Sequence, residues 1–101
     1  MTNREPVLEK KKLEQSDEPP KYAVVFHNDD YTTMDFVMEV LMKIFELSES
    51  DAQQVTYAIH TAGKKAVGSY SKDIAESKSL QVNQTAKANQ HPLLTDVEPL
   101  Q

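Results

Sequence analysis

Two carboxylates, an amide and a histidine stand together in the stretch His27-Asn28-Asp29-Asp30-Tyr31-Thr32. It lies between a strand-like apolar run, Tyr22 to Phe26, and the most apolar helix-like run of the chain, Met34 to Leu47. Charges and amides are poor core material, because burying them without partners is costly; at such a junction they suit the mouth of a binding site. If extended backbone persists through residue 30, Asn28 and Asp30 face together and Asp29 faces away. Asn28 supplies a carbonyl oxygen, Asp30 a carboxylate, and His60, further along the chain, a ring-nitrogen acceptor when neutral. Three acceptors without a basic residue suit an ammonium group, whose three donors they satisfy. Other readings stand beside this one. Asn-Asp runs are ordinary loop starts, a lone helical histidine is an ordinary half-exposed residue, and Met34 suits a core as well as a pocket wall. His27, Asp29, Asp30 and His60 offer ligands to zinc or a harder cation, without any tight two-histidine spacing. Paired carboxylates also serve as general acid and base, but no nucleophile with a partner base accompanies them, and there is no calcium-loop pattern.

The elements that must position these groups follow from hydrophobic period and punctuation. Tyr22 to Phe26 is a short, continuous β-rich run that suits a central strand. Thr32 is the expected N-cap of the next helix, with Asp35 completing a capping-box-like pair and Tyr31 stapling onto Phe36. Asp35, Glu39, Lys43 and Glu46 form its wet stripe, and Phe36, Val37, Val40, Leu41, Ile44 and Leu47 its dry face. Ser50 with Gln53 caps a second helix, whose dry residues are Ala52, Val55, Ile59 and Ala62 and which ends at Gly63. Ala66 to Tyr70 is a second strand. Ser71 caps a third helix that runs to about Asn89 with Ile74, Ala75, Val82 and Ala86 inward, weakened by Ser77, Ser79, Asn83 and Thr85. His91-Pro92 stops it, and Leu93 to Val97 is a third strand. The expected architecture is α+β: a three-stranded antiparallel sheet covered by three helices, in the order β-α-α-β-α-β, behind a disordered N-terminal tail. Residues 1–20 read as a flexible extension, 21–98 as one folded domain and 99–101 as a frayed end.

Composition narrows the function. The 101 residues carry 11 Lys and Arg against 16 Asp and Glu, a net charge of −5, which argues against nucleic acid, whose binding rests on neutralising phosphates. No apolar run reaches the roughly 18 residues of a membrane span, and the charged N-terminus is unlike a secretory signal. With no cysteine there is neither a disulfide framework nor a thiolate metal site, so the cytoplasm is the expected location. Two glycines, Gly63 and Gly68, cannot build a phosphate loop.

One combination of residues is more specific. The run Tyr22 to Leu41, centred on Asn28-Asp29-Asp30-Tyr31-Thr32-Thr33-Met34, is followed by Ala58-Ile59-His60, Gly63-Lys64, Ala75-Glu76-Ser77-Lys78 and His91-Pro92-Leu93-Leu94. Together they resemble the signature of the ClpS adaptors, in order from about Lys21 to Glu98. The resemblance implies an adaptor without enzymatic activity, cofactor or metal. Such an adaptor docks on the N-terminal domain of a Clp-type AAA+ unfoldase, ClpA or a relative, and delivers substrates whose first residue is Leu, Phe, Tyr or Trp. It implies that Asn28, Asp30 and His60 hold the substrate's α-amino group, with Asp29 adding charge nearby. An apolar pocket would correspond to Thr32, Met34, Val37, Thr56, Ile59 and Leu93, with Met34 screening out β-branched first residues. The implied unfoldase surface includes Asp73, Glu76 and Lys78, and residues 1–19 would correspond to the extension that engages the unfoldase during hand-over. Thr33 departs from the family's usual proline. Thr56 departs from the methionine of many members, which implies a wider or more polar wall there.

Overall fold

A computed structural model describes residues 19–100. The expectations for a disordered, hand-over tail rest on residues 1–18, which, like Gln101, lie outside the described residues. The order of elements is β1 (Tyr22–His27), α1 (Met34–Lys43), α2 (Glu49–Ala62), β2 (Lys64–Tyr70), α3 (Lys72–Ala88) and β3 (Leu94–Pro99). The strands form one antiparallel sheet in the order β2-β1-β3, so the apolar first strand is central, as expected. Ala23, Val24, Val25 and Phe26 are all buried, which explains why this strand shows no alternation of polar residues.

Helix α2 packs on α1 and β2, while α3 lies across β3 and β1. Between helices and sheet sits one core: Val24 and Phe26 from the sheet, Val37, Val40 and Leu41 from α1, Ala52 and Ile59 from α2, Val82 and Ala86 from α3. Each buried Val, Leu, Ile or Phe side chain contributes about 1.5–3 kcal/mol, and the tight small positions Ala52, Ala75 and Ala86, all without exposed area, let the helices approach the sheet.

Several local expectations are corrected. The cap of α1 is Thr33, not Thr32: its hydroxyl accepts from Phe36 N–H at 3.1 Å, while Thr32 is drawn into the preceding turn. Asp35 therefore makes no capping box, and Tyr31, 80% exposed, makes no staple. Helix α1 ends at Lys43 because Glu46 takes a left-handed φ of 57°, turning the chain before Leu47. Ser48, rather than Ser50, caps α2 by accepting from Asp51 N–H at 3.1 Å. Ala62 is exposed, as is Ile74 at half its area, since it sits in the first turn of α3 beyond the sheet. Strand β2 starts two residues early, at Lys64, and β3 continues through Pro99 instead of fraying, with Leu100 N–H donating to Lys21 O at 2.8 Å. Gly63 and Ser71 stand where expected, as the left-handed end of α2 and the cap of α3.

Three tertiary ties hold this layout. Lys78 Nζ donates to Ile44 O at 2.9 Å, at the negative end of α1, and lies 5.5 and 5.3 Å from the ring centres of Phe45 and Tyr70. Asn83, on α3, pairs its amide with both backbone groups of Thr95: Thr95 N–H donates to Oδ1 at 2.8 Å and Nδ2 donates to Thr95 O at 3.1 Å. The Ser79 and Thr95 hydroxyls, both buried, lie 2.7 Å apart beside it. The third tie is a bulge where β2 runs opposite Tyr22 and Val24; Gly68, at φ +82°, lies under the Tyr70 ring, and a Cβ there would meet Tyr70 Cε2.

Candidate functional site

Strand β1 ends at His27, but the chain stays tied to the sheet for one further residue, because Asn28 N–H donates to Gly63 O at 2.9 Å. The left-handed turn that ends α2 thereby holds Asn28 beside the last turn of that helix, where His60 stands. The chain then folds back on Asp29. Its Oδ1 accepts from Tyr31 N–H at 2.8 Å and Thr32 N–H at 2.7 Å, and its Oδ2 accepts from the Thr32 hydroxyl at 2.7 Å. This Asx-type turn delivers the chain to the Thr33 cap and starts α1 with Met34 at the rim. Partial burial alone raises the Asp29 carboxyl pKa. The bonds from Thr32 and Tyr31, with the nearby charge of His91, outweigh that and hold it below the usual aspartate value. His91 is itself fixed by stacking on Phe36, ring centres 4.3 Å apart.

The result is a cavity of about 230 Å³ between the β1–α1 turn and the α1–α2 seam. Asn28, Asp29, Asp30 and His60 form its polar side; Met34, Val37 and Ile59 form its apolar side, with Thr32 and Thr56 between. No basic side chain other than His60 lines it. The Asn28, Asp30 and His60 side chains are exposed and make no hydrogen bond to another described residue, so their acceptors are open. The Thr56 hydroxyl donates back to Ala52 O at 2.7 Å, which occupies its one donor within α2 and leaves this wall less polar than a threonine suggests. A volume below the roughly 300–1,000 Å³ of pockets for drug-sized ligands suits a single side chain with its charged end.

Nine of the sequence-derived positions thus come together on one cavity, Asn28, Asp29, Asp30, Thr32, Met34, Val37, Thr56, Ile59 and His60. Leu93 does not: it is 2% exposed and belongs to the core rather than to the cavity lining. His27, weighed as a metal ligand, turns elsewhere, its Nε2 3.2 Å from Asp96 Oδ2, and no three His, Cys, Asp or Glu groups converge among the described residues. Asp73 and Glu76 are exposed on the first turns of α3, whereas the Lys78 ammonium is turned inward to α1. Sequence reasoning missed the Gly63 carbonyl, although the expected left-handed glycine placed it at the right spot.

Residues 17–96 match the family model described as ATP-dependent Clp protease adaptor protein ClpS. The chain belongs to the ClpS family. Among solved structures, this ClpS-family chain is similar to Agrobacterium tumefaciens ClpS2 bound to L-phenylalaninamide, with 35% identity and a TM-score of 0.79. The similarity covers 82% of this chain and 100% of that one.

Proposed function

We propose that this adaptor binds proteins through a bulky hydrophobic N-terminal residue and hands them to a Clp-type AAA+ unfoldase. The observation that carries the reading is the cavity's two-sided lining: open acceptors on Asn28, Asp30 and His60 facing an apolar wall of Met34, Val37 and Ile59. An N-terminal residue is a charged amine and a side chain on one carbon, and this lining matches both. L-phenylalaninamide, the ligand of the similar ClpS2, is such a group with its carboxyl end blocked. In this reading Asn28, Asp30 and His60 accept from the ammonium. Asp29, its oxygens taken by the turn, supplies negative charge and holds the neighbouring backbone. Met34 narrows the entrance against branching at Cβ.

A charge-assisted hydrogen bond contributes about 1.5–3 kcal/mol, and burying a Leu or Phe side chain about as much. Two or three such terms, less the cost of association, give roughly micromolar affinity, which suits an adaptor that must release its cargo. Delivery would use the exposed Asp73 and Glu76 as part of the surface that meets the N-terminal domain of ClpA or a related unfoldase, with Lys78 shaping it from within.

The test is titration with a short peptide beginning with Phe, beside its N-acetylated twin. The free amine is expected to bind and the acetylated peptide to fail, since acetylation removes the charge and leaves the acceptors unmatched. Equal binding of the two, or of neither, defeats the reading. Asp30→Ala, at an exposed position, is expected to weaken the free-amine peptide at least tenfold, the worth of one charge-assisted bond, with an unchanged melting temperature.

A further inference from the structure

The three methionines of α1, Met34, Met38 and Met42, are spaced four apart and lie along one side of the helix. Their surroundings differ. Met34 is 47% exposed and lines the cavity with Val37 and Ile59; Met42 is 38% exposed, Met38 is half-buried, and neither lines it. Long helical side chains lean back toward the N-terminus, which carries the Met34 thioether over the Thr33 cap toward the turn at Asn28 to Asp30. The chain has no cysteine, so no thiol of its own competes with these thioethers for an oxidant. Among the described residues the most open thioether therefore stands on the apolar side of the cavity.

We propose that Met34 is a reversible oxidation site, addressed by peroxides, that closes the cavity to its ligand. The inference rests on the reading of the cavity as the seat of a first residue. A sulfur lone pair attacks one peroxide oxygen and the O–O bond breaks. Sulfur loses two electrons and becomes the sulfoxide, while hydrogen peroxide is reduced to water. An external dithiol reverses the step, giving up two electrons to form a disulfide and returning the oxygen as water. The new oxygen is an acceptor on a wall that has no donor to spare. Val37 and Ile59 offer none, the Thr56 hydroxyl donates to Ala52 O, and the Thr32 hydroxyl donates to Asp29 Oδ2. The donors left at the cavity, the Asn28 amide and the His60 ring, belong to the proposed amine grip. A sulfoxide at Met34 thus either lies unmatched against an apolar side chain or occupies groups that hold the amine. Both weaken the first residue.

The test uses the full chain carrying Met38→Leu and Met42→Leu, both outside the cavity, so that Met34 is the thioether left in α1. A fluorescent peptide beginning with Phe reports affinity before and after hydrogen peroxide, and peptide mapping by mass spectrometry follows the added oxygen. Conversion of Met34 is expected to weaken the peptide about tenfold, the effect of burying one unmatched polar group. Methionine sulfoxide reductases of both epimer specificities, with dithiothreitol, are expected to restore it. In the parent chain, saturating peptide is expected to slow oxidation of Met34 and not of Met42. Met34→Leu, whatever affinity it starts from, is expected to keep it in peroxide. Unchanged affinity after Met34 is converted overturns the switch and leaves the cavity reading standing, and so does an equal loss in Met34→Leu. Failure of the peptide to bind before oxidation overturns both.

Discussion

The carboxylate of Asp29 accepts from Tyr31 N–H, Thr32 N–H and the Thr32 hydroxyl, whereas that of Asp30 is open to solvent. Adjacent, chemically identical residues thus divide between holding the turn and facing the cavity. The division has a pH signature. The folded-state pKa of Asp29 lies below its unfolded value, so its contribution to stability is present above about pH 4 and is lost as the pH falls through the folded value. Asp29→Asn is accordingly expected to melt below the parent at pH 7, with the gap closing below about pH 4. A gap of constant size across that range contradicts the turn-holding role. The sequence displayed both carboxylates and the open acceptors of the site. Alternation set Asp29 apart from Asp30, but the turn-holding part of Asp29 stayed hidden, because an Asx turn depends on the local backbone dihedrals and not on residue type. The same ambiguity moved the helix cap by one residue: Thr32 and Thr33 carry the same hydroxyl, and the one nearer Asp29 was drawn into the turn.

At the scale of elements, each strand and helix was legible because its apolar period or punctuation is strong: the unbroken β1, the stripe on α1, Gly63 after α2, Pro92 after α3. What escaped was polar and long-range. Ser79 and Asn83 read as weak points of α3, yet they are the residues that fasten it to β3, so their poor helix propensity is offset by tertiary hydrogen bonds. Asn83→Ala leaves Thr95 N–H and C=O without that partner and is expected to cost about 1–3 kcal/mol, seen as a lower midpoint in urea. Lys78 escaped in the same way. Resemblance implied a docking surface for it and gave no sign that its ammonium also closes the end of α1 and sits near Phe45 and Tyr70. Lys78→Met is therefore expected to lower stability by about 1–2 kcal/mol. Glu76→Gln, at an exposed position, should change stability by less than about 0.5 kcal/mol and weaken only unfoldase binding. A Lys78→Met variant with parental stability removes the case for this tie.

At the scale of the whole molecule, the proposed grip of an acidic chain on a protonated amine predicts loss of the ligand in base. An α-amino group has a pKa near 8, so affinity for a Phe-initiated peptide is expected to fall about tenfold per pH unit once the pH exceeds that value. Isothermal titrations between pH 7 and 10 check this, and flat affinity across them rules out the ammonium as the recognised form. The net charge of −5 should also speed encounter with cationic N-termini, an advantage that salt erodes. One tie reaches beyond the single chain. Strand β3 is a border of the sheet, and antiparallel alternation directs the backbone of Thr95, Val97 and Pro99 outward, since Leu94, Asp96 and Glu98 alternate with them and Leu100 N–H returns to Lys21 O. Asn83 occupies Thr95, and Pro99 has no N–H to give, so among the described residues Val97 is the one on that border with both groups open to another strand. This side of the sheet thereby offers almost no template on which an unpaired strand of another chain could polymerise.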